Sequence, residues 1–174
     1  MTSLQTDISN ITIRQARAED GPCLLSLIDA LADYEKLARP DEAARRRLLQ
    51  DGFGTAPRYE AWLAFVGDNI AGYAIIFETY SSFLALPTLY LEDIFILPAQ
   101  RKRKAGFALF LHCVRLARDR GCGRMDWTVL HWNELAKEFY RRLGAAHLDE
   151  WQLYRLTRTQ FDALPLHQSE EGHY

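Results

Sequence analysis

The sequence predicts a mixed, three-layer α/β (α+β) domain, with a mostly antiparallel central sheet and helices on both faces. Three observations predict it. Short runs rich in branched and aromatic residues alternate with segments of helical spacing along the chain. Two strand-like runs, "YEAWLAFV" and "IAGYAIIFETY", flank "GDN", a tight hairpin signal. Two later runs, "TLYLEDIFIL" (88–97) and "RMDWTVL" (124–130), are joined through a helix-length segment. That connection predicts a parallel pair with a right-handed crossover.

The elements follow in order. "ITIRQA" (11–16) opens with branched residues and alternates, so it reads as a strand. Asp20 is the expected cap of a first helix, with Pro22 tolerated in its first turn. Leu24, Leu27, Ile28, Leu31 and Tyr34 recur at helical spacing, and Pro40 is the expected stop. "DEAARRRLLQ" (41–50) reads as a second helix, acidic at its start and stopped by Gly52. The hairpin and the 88–97 strand come next. Residues 105–120 read as a helix with Phe107, Phe110, Leu111, Val114 and Ala117 on its buried stripe, closed by "GCG". After the 124–130 strand, "NELAKEFYRRLG" reads as a helix with Asn133 as N-cap and Gly144 as its stop. "WQLYRLT" is the expected last strand.

A chain of 174 residues fits one domain with a real core; we expect it over 1–164, followed by a tail over 165–174. The balance of 48% hydrophobic and 25% charged residues is that of an ordinary globular protein. No apolar run reaches the roughly 18 residues that span a bilayer, and "MTSLQTDISN" lacks the pattern of a signal peptide. Cys23, Cys113 and Cys122 form no CxxC pair, which points to reduced thiols in the cytoplasm and away from disulfides or a metal site. Cys122 and His131 are read as structural. The net charge of −2 makes the basic run "RKRK" (101–104) a local feature, not part of a nucleic-acid surface. Neither a nucleic acid nor a membrane is an expected partner.

That run stands where a strand hands over to a helix. Amides at a helix start have no partner within the helix, and the dipole adds positive potential, so such a joint suits phosphate. A solvated basic turn and a nuclear-localisation or nucleic-acid segment are the alternative readings. Position favours phosphate over nucleic acid.

"LYLEDIFILPAQRKRKAG", with "HWNELAKEFYRRLGA" downstream, resembles the GNAT superfamily of N-acetyltransferases. Within it the resemblance is to the diamine (spermidine/spermine-type) acetyltransferases. "LADYEKL", "LLQDGFG", "ETY", "LYLEDIF", "WNE" and "FYRRLGA" fall in the same order at similar spacing, across about residues 10–157. The resemblance implies the acyl-CoA N-acyltransferase fold, acetyl-CoA as co-substrate with no metal, a small diamine or polyamine-like acceptor, and a homodimer. It places the cofactor on Ile94, Phe95 and Ile96, on Arg101, Lys102, Arg103, Lys104, Ala105 and Gly106, and on Asn133 and Tyr140. It places the acceptor on Tyr34, Glu35, Glu92, Asp126, Trp127, Thr128 and Glu150. Lys104 stands where the family has its first loop glycine. A lysine in the left-handed conformation that glycine permits costs roughly 1–2 kcal/mol.

By the same resemblance, Glu92 is the candidate base and Tyr140 the candidate acid. An ammonium with a pKa near 10.4 must lose a proton before it attacks, and a carboxylate inside an apolar strand is raised toward the range of a useful base. Adjacent strand residues face opposite ways, so only one of Glu92 and Asp93 is expected at a given site. Glu92 also reads as an amine-holding or structural carboxylate. Tyr140 lies seven positions beyond Asn133 on one helix face and could protonate the departing sulfur; it also reads as a core aromatic. Ile94 and Ile96 are expected to act through their amides. Asp29 and Asp33, one turn apart, are further acidic candidates for a cationic acceptor. Two other readings stay open: acetylation of a different amine (a protein or peptide lysine, or an antibiotic), and a non-catalytic acyl-CoA-binding module in which Lys104 spoils the phosphate loop.

Overall fold

The computed structural model describes residues 10–165; most of the tail expected over 165–174 lies outside the described residues. The chain divides after Thr128 into two compact units.

The first unit holds β1 (Ile11–Gln15), α1 (Gly21–Glu35), α2 (Glu42–Phe53), β2 (Glu60–Val66), β3 (Asn69–Ser81), β4 (Leu86–Ile96), α3 (Ala105–Asp119) and β5 (Arg124–Asp126). These strands form one five-stranded sheet in the order β1-β2-β3-β4-β5. The first three pairings are antiparallel, and β4 and β5 are parallel. The mixed sheet and its crossover through α3 are as the sequence predicts.

Alternation along the strands sends side chains to two faces. Leu63, Tyr73, Ile75 and Phe95 pack with Leu24 and Leu27 of α1. Trp62 packs tilted against His112 of α3 with ring centres 4.2 Å apart, and Val66 and Ala71 pack on Ala105. The sheet is therefore covered on both sides. Leu24 is fully buried, and its truncation to Ala would cost about 2–5 kcal/mol.

Several local expectations need correction. Asp20 stands at the N-cap of α1 without capping it. Its carboxylate accepts both Arg14 guanidinium N–H groups at 2.7 Å and the Arg17 amide at 2.7 Å; the Arg14 hydrogen bond foremost holds it down at about 2. Helix α1 stops well before Pro40, because Lys36 turns left-handed (φ 60°) and closes it. Gly52 does not stop α2, which runs on to Phe53. A Cβ at Gly52 would lie 2.5 Å from the Tyr59 hydroxyl, so this glycine makes room for Tyr59, which donates to the Leu48 carbonyl at 2.7 Å. On α3 the buried stripe is Ala105, Ala108, Leu109, Phe110, Cys113 and Ala117, while Val114 is exposed. β5 is shorter than 124–130 and ends at Asp126.

The second unit carries α4 (Glu134–Arg142) and α5 (Arg158–Ala163). Asn133 caps α4 as expected, its side chain accepting the Ala136 amide at 3.2 Å. Gly144 follows with φ 81°. The strand expected at "WQLYRLT" is absent: residues 151–157 have no regular structure, and Trp151, Leu153, Tyr154 and Leu156 are exposed. Alternation alone builds no strand without a neighbouring edge to pair with. Instead the chain enters α5, which Thr157 and Gln160 start through a capping box.

Candidate active site

Two strand irregularities shape the acceptor side. In the β3–β4 ladder Ile75 pairs with Asp93 and Ile76 with Leu91, so Glu92 is an extra residue in a β-bulge. The expectation that Glu92 and Asp93 face opposite ways is therefore wrong. Both line one cavity of about 490 Å³, together with Asp51, Arg58, Tyr59 and Ile75.

Of the two, Asp93 is half-buried and Glu92 is exposed. The Tyr73 hydroxyl donates to Asp93 Oδ2 at 3.1 Å. Burial, with the charges of Glu92 and Glu35, pushes Asp93 up to about 6 against the lowering effect of that hydrogen bond. Tyr73 is itself fully buried, and burial raises its phenol far above the ordinary range. Glu35 is raised by burial. Asp51 and Arg58 pair at 3.6 Å on the cavity wall.

The cofactor side begins at β4. Its pairing with β5 covers only Thr88, Leu89 and Tyr90. Beyond Tyr90, among the described residues, β4 is paired with β3 alone. The Leu97 amide donates to Ala71 of β3 at 2.8 Å, and the Phe95 carbonyl lies against Gly72, where a Cβ would sit 2.0 Å from it. Backbone polar groups alternate between the two edges of a strand. The amides and carbonyls of Ile94 and Ile96 therefore face the open edge, and those of Phe95 do not. The side chain of Phe95 is core.

The basic joint follows. Lys102 and Lys104 are both left-handed, each with φ 64°, and flank Arg103. The first helical bond of α3 runs from the Ala108 amide to the Lys104 carbonyl at 3.0 Å, so the amides of Ala105, Gly106 and Phe107 precede the helical ladder. Lys102, Arg103 and Lys104 are exposed. Such a turn of successive amides with basic side chains fits a diphosphate. Ala105 is buried, and a Cβ on Gly106 would meet Ile96 at 3.3 Å. Arg101 differs from its neighbours: its Nε donates to the Ile96 carbonyl at 3.2 Å, and its guanidinium lies over Tyr34.

The remaining candidates are dispersed. Asp126 pairs with Arg124 at 3.0 Å. Trp127 packs edge-on to Phe110 with ring centres 5.4 Å apart. Thr128 is exposed. Neither Tyr34 nor Glu35 lines the cavity, although Glu35 is near enough to act on Asp93. Asp29 and Asp33 are taken by Arg45 and Arg39, at 2.6 and 2.5 Å. In the second unit, Glu150 is exposed, Asn133 is the α4 cap, and burial pushes the Tyr140 hydroxyl up to about 12. Sequence reasoning missed Asp93, Tyr73, Asp51, Arg58 and Tyr59. The bulge that gathers the first two leaves no mark in an alternating pattern.

Known proteins resemble this chain in sequence and in fold. The model of the acetyltransferase (GNAT) family matches residues 24–145. Thialysine N-epsilon-acetyltransferase of Bos taurus is 33% identical over 156 residues, which cover 83% of this chain and 91% of that protein. Spermidine/spermine N(1)-acetyltransferase-like protein 1 of Homo sapiens is 31% identical over 166 residues, 90% of this chain and 24% of that protein. Among solved structures, an integron cassette protein from the mobile metagenome of V. cholerae superposes with a TM-score of 0.77 at 21% identity, covering 91% of this chain and 99% of that one. That last likeness carries the fold alone. The chain belongs to the acetyltransferase (GNAT) family and is an acyltransferase that uses acetyl-CoA to acetylate amines.

Proposed function

We propose that the acceptor is a small molecule with more than one amine: a diamine, a polyamine or a lysine analogue. The observation that carries this reading is the cavity wall, where Glu92 and Asp93 bring two carboxylates to one site beside the Asp51–Arg58 pair. Carboxylates attract a multiply cationic acceptor and hold its ammonium group. The names of the thialysine and spermidine/spermine-type relatives point the same way.

Acetyl-CoA supplies an activated acetyl thioester. The turn from Lys102 to Gly106 binds its diphosphate through main-chain amides, and the open edge at Ile94 and Ile96 offers amides to the acetyl oxygen and the pantetheine arm. Glu92 takes a proton from the amine, directly or through a water. Tyr140, kept protonated by burial, gives one to the departing sulfur. Asn133 adds a contact to the pantetheine beyond its role as a cap. Tyr34, Glu35, Asp126, Trp127, Thr128 and Glu150 complete the acceptor site in this reading, as the resemblance implies. A cytoplasmic homodimer is the assembly that goes with it, tested by light scattering of the purified chain.

The experiment is a panel of amines with acetyl-CoA and detection of free thiol. Putrescine, spermidine, L-ornithine and thialysine are set against kanamycin and a lysine peptide. Turnover on the small di- and polyamines at least tenfold above the other two supports the reading. Preference for kanamycin or the peptide replaces the acceptor, and no thiol release with any amine ends it.

A further inference from the structure

We infer that Asp93, held by Tyr73, is a second proton-accepting carboxylate of the acceptor cleft and works beside Glu92. The inference rests on the amine-acetylation reading above and adds a residue to it.

The proton count calls for such a group. The acceptor arrives as an ammonium with three N–H bonds and leaves as an amide with one. The nitrogen forms a bond to the acetyl carbon and the carbon–sulfur bond breaks, with its electron pair going to sulfur. Two protons leave the nitrogen in each turnover. One ends on the sulfur as thiol, and the other goes to solvent. A cleft with one carboxylate must clear the first proton before it can take the second. This cleft has two carboxylates on consecutive residues, because the bulge at Glu92 turns both toward the same cavity.

Asp93 is built for the task. The Tyr73 hydroxyl fixes its orientation at 3.1 Å. Tyr73 sits in the core beside Leu63 and Ile75, and its strongly raised phenol stays a donor at any working pH. Burial moves the ionisation of Asp93 to about 6, so the group is ionised at neutral pH yet basic enough to take a proton for a time. The groups that face it from each side are Glu92 on β4, Tyr73 on β3, Glu35 on α1, Asp51 on α2, and Arg58 with Tyr59 ahead of β2. Glu92 and Glu35 push its ionisation upward and Tyr73 draws it down, while Asp51 and Arg58 offset one another as a pair. Asp93 takes the proton shed by the incoming ammonium and releases it to water. Glu92 takes the one shed as nitrogen attacks and returns it, through solvent, to the Tyr140 hydroxyl that has protonated the sulfur.

The test is the pH profile of kcat/KM for spermidine and thialysine in three proteins. In the wild type the acid limb should contain a component near pH 6. Asp93→Asn should lower kcat/KM at least tenfold at pH 7.5 and remove that component. Tyr73→Phe, which keeps the packing but withdraws the hydrogen bond, should move the component upward by about 0.5–1 pH unit, with the KM for acetyl-CoA within twofold. A merely structural Asp93 would leave the limb in place. An unchanged limb in Asp93→Asn overturns the inference. If that variant does not fold by circular dichroism, an unchanged limb in Tyr73→Phe does the same. A wild type that acetylates neither amine overturns the acceptor reading, and the inference with it.

Discussion

The Arg101 guanidinium lies 4.7 Å from the centre of the Tyr34 ring and 5.8 Å from that of Phe95, so one side chain ties the turn after β4 to helix α1. A cation over an aromatic face contributes about 0.5–2 kcal/mol, and the planar guanidinium stacks as a lysine cannot. Arg101 thus serves the basic joint as a strut, held by the Ile96 carbonyl and the Tyr34 ring. Tyr34→Leu, which leaves every basic residue of the turn in place, should raise the KM for acetyl-CoA by about 3–10-fold. Arg101→Ala should do the same, Arg101→Lys should not restore it, and the double variant should be little worse than either single one. Additive effects in that kinetic cycle would separate the two residues.

Lys104 stands left-handed at φ 64°, ψ 4°. That conformation costs a non-glycine residue about 1–2 kcal/mol, and glycine gives back roughly 0.5–1 kcal/mol through its freer unfolded chain. Lys104→Gly should therefore stabilise the protein by up to about 1 kcal/mol, read as a higher urea midpoint with an unchanged slope. Lys104→Ala keeps the Cβ and should bring no gain. A lower midpoint for the glycine variant would mean that the lysine makes a compensating contact.

Burial keeps the Tyr140 hydroxyl protonated, with its ionisation pushed up to about 12. In the proposed role of acid for the departing sulfur, its removal should cost turnover and not cofactor affinity. Tyr140→Phe should lower kcat at least tenfold, the low end of what a positioned acid contributes, and leave the acetyl-CoA dissociation constant within twofold. Equal turnover in a free-thiol assay would remove the acid assignment.

Most of the fold was legible in the sequence because its signals are local. The "GDN" hairpin, the crossover through α3 and the Asn133 cap each depend on a few adjacent residues. What could not be read depends on distant partners. Gly52 looks like a helix stop until Tyr59 is seen to need its space. "WQLYRLT" has the alternation of a strand and no ladder. Asp29 and Asp33 look free to bind a polyamine until Arg45 and Arg39 fold over them. At the site, the run "LYLEDIF" drew attention to Glu92, but the register slip that sets Asp93 beside it exists only between two paired strands. The Tyr73 hydroxyl lies twenty positions earlier in the chain, where nothing local distinguishes it from core.

The raised ionisation of Asp93 also has a cost in stability, and its sign can be worked out. A carboxyl that ionises near 6 when folded and near 3.8 when unfolded carries no penalty below about pH 3, where both states are neutral. As pH rises from about 3 to 6 the unfolded chain ionises first, and folding loses free energy. Above 6 the loss is complete, on the order of 2–3 kcal/mol. Asn at this position cannot ionise and can still accept from the Tyr73 hydroxyl. Asp93→Asn should therefore be more stable than the wild type at pH 8 and not at about pH 3, with the gap opening between those values. Such a gain with lost activity is the trade-off expected where function holds a charge in a buried place. Urea unfolding of both proteins across this range checks it. A gap that stays constant with pH would return Asp93 to water and remove the reason for its proximity to Tyr73.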